Sequence, residues 1–549
     1  MARPSVSRWA RPADMYLDSG SLATVNALTG DQQGRTVYLA RGGVFTTPLY
    51  LNGVRNLNID CYGSSALDKP LIDNTLTVNS ANWVDYTGTQ ANTWYMTTAN
   101  WGGGACAVLL DDWACHYRAS IADLLLVYEH AVHGAAYPWT YFYDSGNSRM
   151  YVHTDGTDPT TMVTRRPKVS AGEESVTSGL YALYLASCNA INVKNVQVRC
   201  GYSSNVYVSA SNNILLENVD SFATGNKSGT GQNFFNLKGS SRSGKMANIT
   251  LRGCTGRDGF GTNNNGVEIG FVNNLLIDGC DLRDCRGNGV ELWQSCDNVI
   301  VRKNRFAAYA AGAKFFDSDG DNLTHFQNVL FQNNLIQGRA NYVYKGATGA
   351  GTESGPYGIM LAAYNGTDGN TTHTFSNCRA VNNTFDIDDT ATIYQYLKDT
   401  GAYGAGDRTF RFKNNVVIQR QEASYASYEW ATYCAGATAA GAWIADRNMY
   451  QFGRDGRKWQ IVGAAQTSLA NYKTQWDTYV ATNEDNSVSP DAATATIATA
   501  STMADSVYTP AAVDAPMVGL ADTTDPDYPT TDFNGATRAR ATAGAFEFP

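Results

Sequence analysis

A chain of 549 residues with 43 % hydrophobic and only 17 % charged residues is long enough for several average domains or for one extended solenoid. Its 32 Tyr, 20 Phe and 11 Trp exclude a disordered polymer, and 52 Gly against 14 Pro suit many tight turns. A net charge of −9, a pI near 5.2 and the lack of a basic patch argue against a nucleic-acid partner, and no apolar run reaches the roughly 20 residues a bilayer span requires.

Residues 1–35 are expected to form an N-terminal arm or cap. The opening MARPSVSRWARPADMYLDSG carries arginines but lacks the apolar core of a secretory signal. The expectation is that a signal has been removed, or that the protein leaves its cell by another route, such as on a virus particle. Residues 36–73 carry short β-rich runs, Val37–Leu39, Leu49–Leu51 and Leu57–Ile59, punctuated by Gly and Asn. They read as the first coils of a solenoid. Residues 74–170 break the rhythm with Trp83, Trp94, Trp101, Trp113 and Trp139, and a hairpin is expected across DSGNSR between Tyr141–Tyr143 and Met150–His153. This stretch reads as an inserted aromatic-rich subdomain.

Residues 171–420 repeat. One apolar run recurs as INVKN (191–195), ILLEN (214–218), ITLRG (249–253), LLIDG (275–279), VIVRK (299–303), VLFQN (329–333) and FRFKN (410–414). Asn and Gly flank most of these runs and tolerate the left-handed backbone that sharp corners need. A second set of runs follows at 206–208, 234–237, 267–269, 290–292, 314–316 and, less cleanly, 343–345. Two or three short strands per coil of about 23 residues, with no helical stretch, predict an all-β parallel β-helix solenoid. Residues 421–549 read as a C-terminal cap region, with a short helix expected over Ser468–Tyr479. Eleven cysteines, with Cys254 and Cys280 at equivalent coil positions, read mostly as buried reduced thiols stacked between coils.

The phrases VYLARGGVF…NLNIDCYG…KPLID, YFYDSGNSRMYVHTDGTDP, DRNMYQFG…TSLANYKTQW and DFNGATRAR…AGAFEF resemble the flanking signatures of bacterial and phage right-handed parallel β-helix proteins. These are the pectate-lyase-like carbohydrate-active proteins: glycoside hydrolases, polysaccharide lyases and phage tailspike depolymerases. The resemblance covers most of residues 35–549. It implies an extracellular polysaccharide as partner and, for a tailspike, a homotrimer joined to virion tail components; no cofactor is expected to be required, with Ca2+ as a possible ligand. The paired NTD and GDD phrases of polygalacturonases are absent, so no catalytic residue carries over by motif.

Candidate residues therefore rest on geometry. The phrase Asn-Gly-Val-Glu occurs twice, placing Glu268 and Glu291 23 residues apart. A strand that buries its aliphatics turns these carboxylates outward. Adding one coil reaches Lys314; stepping back one coil reaches Asn236. The four are expected to form one outward ladder, with Trp293 and Phe316 beside it as sugar-stacking platforms. Two carboxylates one coil apart, about 4.8 Å, suit a retaining glycosidase. Three readings stay open: catalysis, glycan binding without turnover, and a solvated ladder in which Glu291 pairs with Lys314. Asp258 in GRDGFG and Asp284 in LRDCRGNG add carboxylates at the preceding corners, with Arg257, Arg286 and Tyr309. That set suits hydrolysis, β-elimination from a uronate, or plain corner salt bridges. Asp317, Asp319 and Asp321 alternate like calcium ligands, although the full pattern of a calcium loop is missing. The expected activity is depolymerisation of a cell-surface polysaccharide, by a phage tailspike or by a secreted bacterial hydrolase or lyase. A non-catalytic adhesin is the alternative of another class.

Overall fold

The computed structural model describes residues 12–102, 106–118, 120–125, 138–168, 180–224, 232–259, 264–285, 287–308, 311–316, 323–338, 357–363, 372–388, 393–397, 410–420, 432–434, 443–452, 459–461, 464–466, 468–478, 486–489 and 517–545. Each coil gives one short strand to each of three long sheets. In one coil Tyr181–Ala186 joins the second sheet, Asn189–Lys194 the first and Gln197–Arg199 the third. Strands pair in parallel with their counterparts one coil away, apart from the antiparallel pair Trp459–Ile461 and Ala464–Gln466, and among the described residues the sheets hold 13, 12 and 11 strands. The predicted solenoid is what forms.

Its core is a set of in-register aliphatic columns. In the first sheet Leu57, Ile191, Ile214, Ile249, Leu275, Val299 and Val329 stack residue on residue. In the second, Leu183, Val206, Phe235, Val267 and Val290 do the same. All of these are essentially solvent-free, and a buried aliphatic side chain contributes roughly 1.5–3 kcal/mol. The recurring runs are thus the inward faces of the strands. One reading needs correction: the strand that follows Ala311–Phe316 in the second sheet is Tyr357–Ala363. Residues 343–345 lie outside the described residues.

The corners behave as the Asn/Gly pattern predicts. Asn195, Asn218, Gly253, Gly279, Lys303, Asn333, Asn382, Asn414 and Arg447 all take positive φ where the first sheet turns into the third. The next position inward runs Val196, Val219, Cys254, Cys280, Asn304, Asn334, Asn383, Asn415, Asn448. Its asparagines are fully buried and linked side chain to side chain. Asn383 Nδ2 donates to Phe331 O and Asn415 Oδ1, both at 3.1 Å, while its own Oδ1 accepts from the N–H and Nδ2 of Asn334, both at 2.9 Å. A second asparagine row, Asn213, Asn248 and Asn274, runs along the solvent side at the start of the first-sheet strands. Cys106, Cys115, Cys188, Cys200, Cys254, Cys280, Cys285, Cys296 and Cys378 are buried free thiols, and Cys61 is a half-exposed one.

Both ends are closed. Helix Ala23–Asn26, with Leu22 before it, places Leu22 and Val25 over the first coil. Helix Leu469–Trp476, N-capped by Ser468, lays Tyr472 on Trp459 at 5.3 Å over the last. Among the described residues an eight-stranded sheet built between Thr75 and Pro167 follows the third-sheet strand Leu71–Asp73, and the next described strand of the solenoid is Tyr181–Ala186 of the second sheet. The inserted sheet contains the expected hairpin, with Tyr141 paired to Val152. Its core of Trp83, Trp94, Trp101, Trp139, Met96 and Met150 continues onto Cys200, Phe222, Ala223 and Ala307 of the solenoid. Arg199 clamps the junction, bidentate to Asp73 at 2.9 and 2.8 Å and bonded to Asp112 at 2.7 Å. Residues 517–545 fold back over the third sheet of the later coils, where Met517, Ala543 and Ala545 cover Leu335, Val416, Ile418 and Met449. No helix among the described residues is long and apolar enough to cross a membrane.

The two asparagine rows make a contrast that can be measured. Asn383→Ala strips partners from the buried Phe331 carbonyl and from Asn334, an expected cost of about 2–4 kcal/mol. Asn213→Gly keeps the left-handed turn on the exposed row and is expected to cost under about 1 kcal/mol. Urea unfolding midpoints of the two variants check this; equal losses would mean that the buried row does not hold the coils in register.

Candidate functional site

The second sheet brings Asn236, Glu268, Glu291 and Lys314 into one column, each paired in register with the next. Glycines set the fit. A Cβ at Gly266 would collide with the Gly289 carbonyl oxygen, and one at Gly289 would lie 2.6 Å from that of Gly312. Only the Asn-Gly that opens each Val-Glu phrase lets these coils pack so closely.

The ladder is in register, but it is not solvated. Glu268, Glu291 and Lys314 are 9 %, 4 % and 3 % exposed, which corrects the expectation of carboxylates displayed to water. The reason is an inner tier of amides three residues upstream in each coil. Asn233 Nδ2 donates to Glu268 Oε2 at 2.9 Å, and Asn236 Nδ2 reaches Glu268 Oε1 at 3.5 Å. Asn265 Nδ2 lies 2.7 Å from Glu291 Oε2 and 3.5 Å from Glu268 Oε2. One nitrogen thus touches both carboxylates, whose oxygens are no further apart than the sum of those two distances. Asn288 in turn holds Asn265, its Nδ2 donating to Asn265 Oδ1 at 3.0 Å. The predicted pairing also forms, with Lys314 Nζ 3.5 Å from Glu291 Oε1. Burial pushes the Glu268 carboxyl above its ordinary value, and the Asn233 hydrogen bond and the charge of Lys238 only partly oppose it.

Asp258 and Asp284 stand elsewhere. They end the third-sheet strands Thr255–Gly259 and Asp281–Cys285 rather than sitting in loops, both with φ of 58° and both buried. The Asp258 N–H donates to Asp284 Oδ2 at 3.4 Å, and His116 Nε2 of the inserted sheet lies 3.8 Å from Asp258 Oδ1. Arg257 is 3.9 Å from Asp258 and spreads over the Phe222 ring at 5.2 Å. This cluster faces the inserted subdomain, as the buried His116 shows. Trp293 follows the Glu291 strand, half-buried, and Phe316 ends the strand Ala311–Phe316. Arg286, Tyr309 and the trio Asp317, Asp319 and Asp321 lie outside the described residues, and among the described residues no cluster of metal-ligating side chains forms. A shallow cleft of about 280 Å³ lies on the third sheet, between Gln197, Phe222, Thr255, Arg257, Asp281 and Arg283. Its charges are matched internally, Arg283 to Asp281 and Lys69 to Asp220 at 2.9 Å, so the desolvated column on the second sheet is the stronger candidate.

The amides Asn233 and Asn265 and the histidine His116 were not anticipated from sequence. A signal for the amides was present, because Asn stands three residues before the ladder position in NFFN and in both copies of NGVE.

Residues 178–352 match the family model described as "Right handed beta helix region". The match spans about a third of the chain and agrees with the parallel β-helix fold of its three long sheets. No curated protein matches it by sequence. Among solved structures it is similar to one described as "The complex structure of XylC with xylose", at 10 % identity and a TM-score of 0.44, covering 97 % of this chain and 98 % of the other. A second, described as "Glycoside hydrolase", gives 9 % and 0.43 over 79 % and 88 % of the two chains. A third, the Streptococcus pneumoniae surface protein and adhesin PfbA, gives 8 % and 0.34 over 80 % and 87 %.

The raised value of Glu268 has a signed consequence. Folding favours its protonated form, so its stabilising contribution is full below the ordinary glutamate value of 4.5 and is lost as pH rises through the elevated folded value. Glu268→Gln removes that loss. The thermal midpoint of the variant relative to wild type is expected to climb as the buffer is taken from acid to neutral; a pH-independent difference would show that Glu268 titrates normally.

Proposed function

We propose that this protein cleaves an extracellular polysaccharide by glycoside hydrolysis with retention of configuration, in a groove along the outward face of the second sheet. The observation that carries the reading is the single Asn265 amide within reach of both Glu268 and Glu291. The sum of its two distances falls below the roughly 6.5–9.5 Å that separates the carboxyls of inverting enzymes, which favours the closer pair of a retaining one. The environments also differ in the needed sense. Glu268, desolvated and raised, is suited to hold a proton at neutral pH and protonate the departing glycosidic oxygen. Glu291, ion-paired with Lys314, is suited to attack the anomeric carbon as a carboxylate. Glu268 would then take a proton from the water that releases the second product. Asn233 and Asn265 orient the carboxylates, and half-buried Trp293 offers an aromatic surface beside them.

β-Elimination is the weaker reading, because the ammonium in the column, Lys314, is ion-paired with Glu291 rather than placed to neutralise a uronate. Glu268→Gln and Glu291→Gln are each expected to lower turnover at least 100-fold, roughly 3 kcal/mol of transition-state stabilisation. Reducing-end release from a polysaccharide panel measures this, and full activity in both variants removes the pair from the mechanism. Proton NMR of the first product is expected to show the substrate's own anomer. Binding without any release of reducing ends would instead favour an adhesin.

We take the setting to be a phage tailspike, on the family resemblance of the flanking phrases. The expected mass by light scattering is then that of a homotrimer, and a monomer would favour a secreted enzyme.

A further inference from the structure

The carboxylate column does not begin at Asn236. Followed toward the N-terminus, the same strand position is held by Tyr207, then Tyr184, then Tyr50, each in register with the next across the second sheet. The rings stack. Tyr50 and Tyr184 are 5.1 Å apart, and Tyr184 and Tyr207 are 5.4 Å apart with planes at 3°. Tyr181, three residues before Tyr184, stacks on Tyr207 at 4.7 Å. All four are half-buried, so the phenol edges face solvent while the ring faces pack on one another. Ser209 lies beside the phenol groups of Tyr184 and Tyr207. Burial pushes the Tyr181 phenol up to about 12, so it remains a hydroxyl donor at neutral pH.

The three strands that carry this strip read LYLN, YALYLA and SNVYVS and contain no charged residue. A surface of aromatic edges and hydroxyls, with no charge on its own three strands, suits the C–H and O–H groups of neutral pyranoses. A uronate-rich chain laid there would meet a cation only at the end of the strip, at Lys238 beside Ser209, and would leave its other carboxylates without partners. Four coil steps separate Tyr50 from Glu268, about 19 Å at the spacing of stacked strands, which is room for several sugar units.

We propose that Tyr50, Tyr184, Tyr207 and Tyr181 form a binding strip for the uncharged arm of the polysaccharide, which runs along the helix axis from the carboxylate pair toward the N-terminus. This rests on the reading of Glu268 and Glu291 as the cleavage point and adds the substrate class and the direction in which the chain lies.

The test uses the full chain carrying Glu291→Gln to suppress turnover, titrated calorimetrically with neutral gluco-, xylo-, manno- and galacto-oligosaccharides of increasing length and with matching uronic-acid oligosaccharides. Affinity is expected to climb with length in a neutral series. Tyr184→Ala and Tyr207→Ala are expected to erase that gain, at least tenfold on the longest member. The Phe versions preserve the ring stack and are expected to lose two- to fivefold, which keeps the idea testable if the Ala versions fold poorly. Hydroxyl-radical labelling of the unsubstituted Tyr strip should show protection of the peptide spanning 181–209 by the longest neutral oligosaccharide. Unchanged length dependence in the Tyr variants overturns the strip and leaves the carboxylate reading standing. Tighter binding of the uronic-acid series overturns the neutral-substrate assignment. Failure of every oligosaccharide to bind overturns the glycan reading itself and the strip with it.

Discussion

Everything in this fold depends on one constraint: each coil must close on itself within a few corners so that its strands meet the same positions one coil away. The backbone meets it by turning left-handed at fixed places. Asn195, Asn218, Gly253 and Gly279 take the same corner conformation in successive coils. Once the corners agree, inward positions fall on inward positions and the aliphatic columns close without further choice. The inner corner row then changes character along the axis, from Val196 and Val219 through Cys254 and Cys280 to the buried amides from Asn304 onward. The same steric niche is filled by greasy, thiol and amide side chains in turn, and the amides add lateral hydrogen bonds that the valines cannot.

The same register creates the candidate site. A column on the outer face repeats one strand position, so chemistry placed there is delivered at coil spacing without a dedicated loop. Between Tyr207 and Lys314 the column passes from phenol to amide, to two carboxylates, to ammonium. The upstream amides Asn233 and Asn265 repeat in step with it and desolvate the acids while satisfying them. A site of this kind is preorganised by the scaffold itself.

The sequence displayed the ladder because the step from 268 to 291 to 314 is unbroken, so counting by 23 sufficed. Asn236 was reached only by allowing for an insertion. The burial of the carboxylates was not legible, since it depends on amides contributed by neighbouring coils. Asp258 and Asp284 look like corner residues in one dimension but end strands of another sheet, because a single left-handed residue can close a strand as well as a loop. Tyr184 and Tyr207 are also 23 apart and obey the same arithmetic. Tyr50 is separated from them by the whole inserted sheet, and no count along the chain would have joined it to the column.

The folded-back tail has a consequence for the order of assembly. Asn333 Nδ2 donates to Thr531 O at 2.6 Å and Asn382 Nδ2 to Thr542 O at 3.1 Å, while Gly544 N–H donates to Asn414 O at 2.8 Å. Coils near residues 333–414 therefore take corner partners from chain made well over a hundred residues later. The coils between residues 181 and 308 can zip up by neighbour-to-neighbour contact as they emerge from the ribosome. The later ones stay open at one corner until residues 531–544 arrive, so two stretches of one continuous solenoid fold on different clocks.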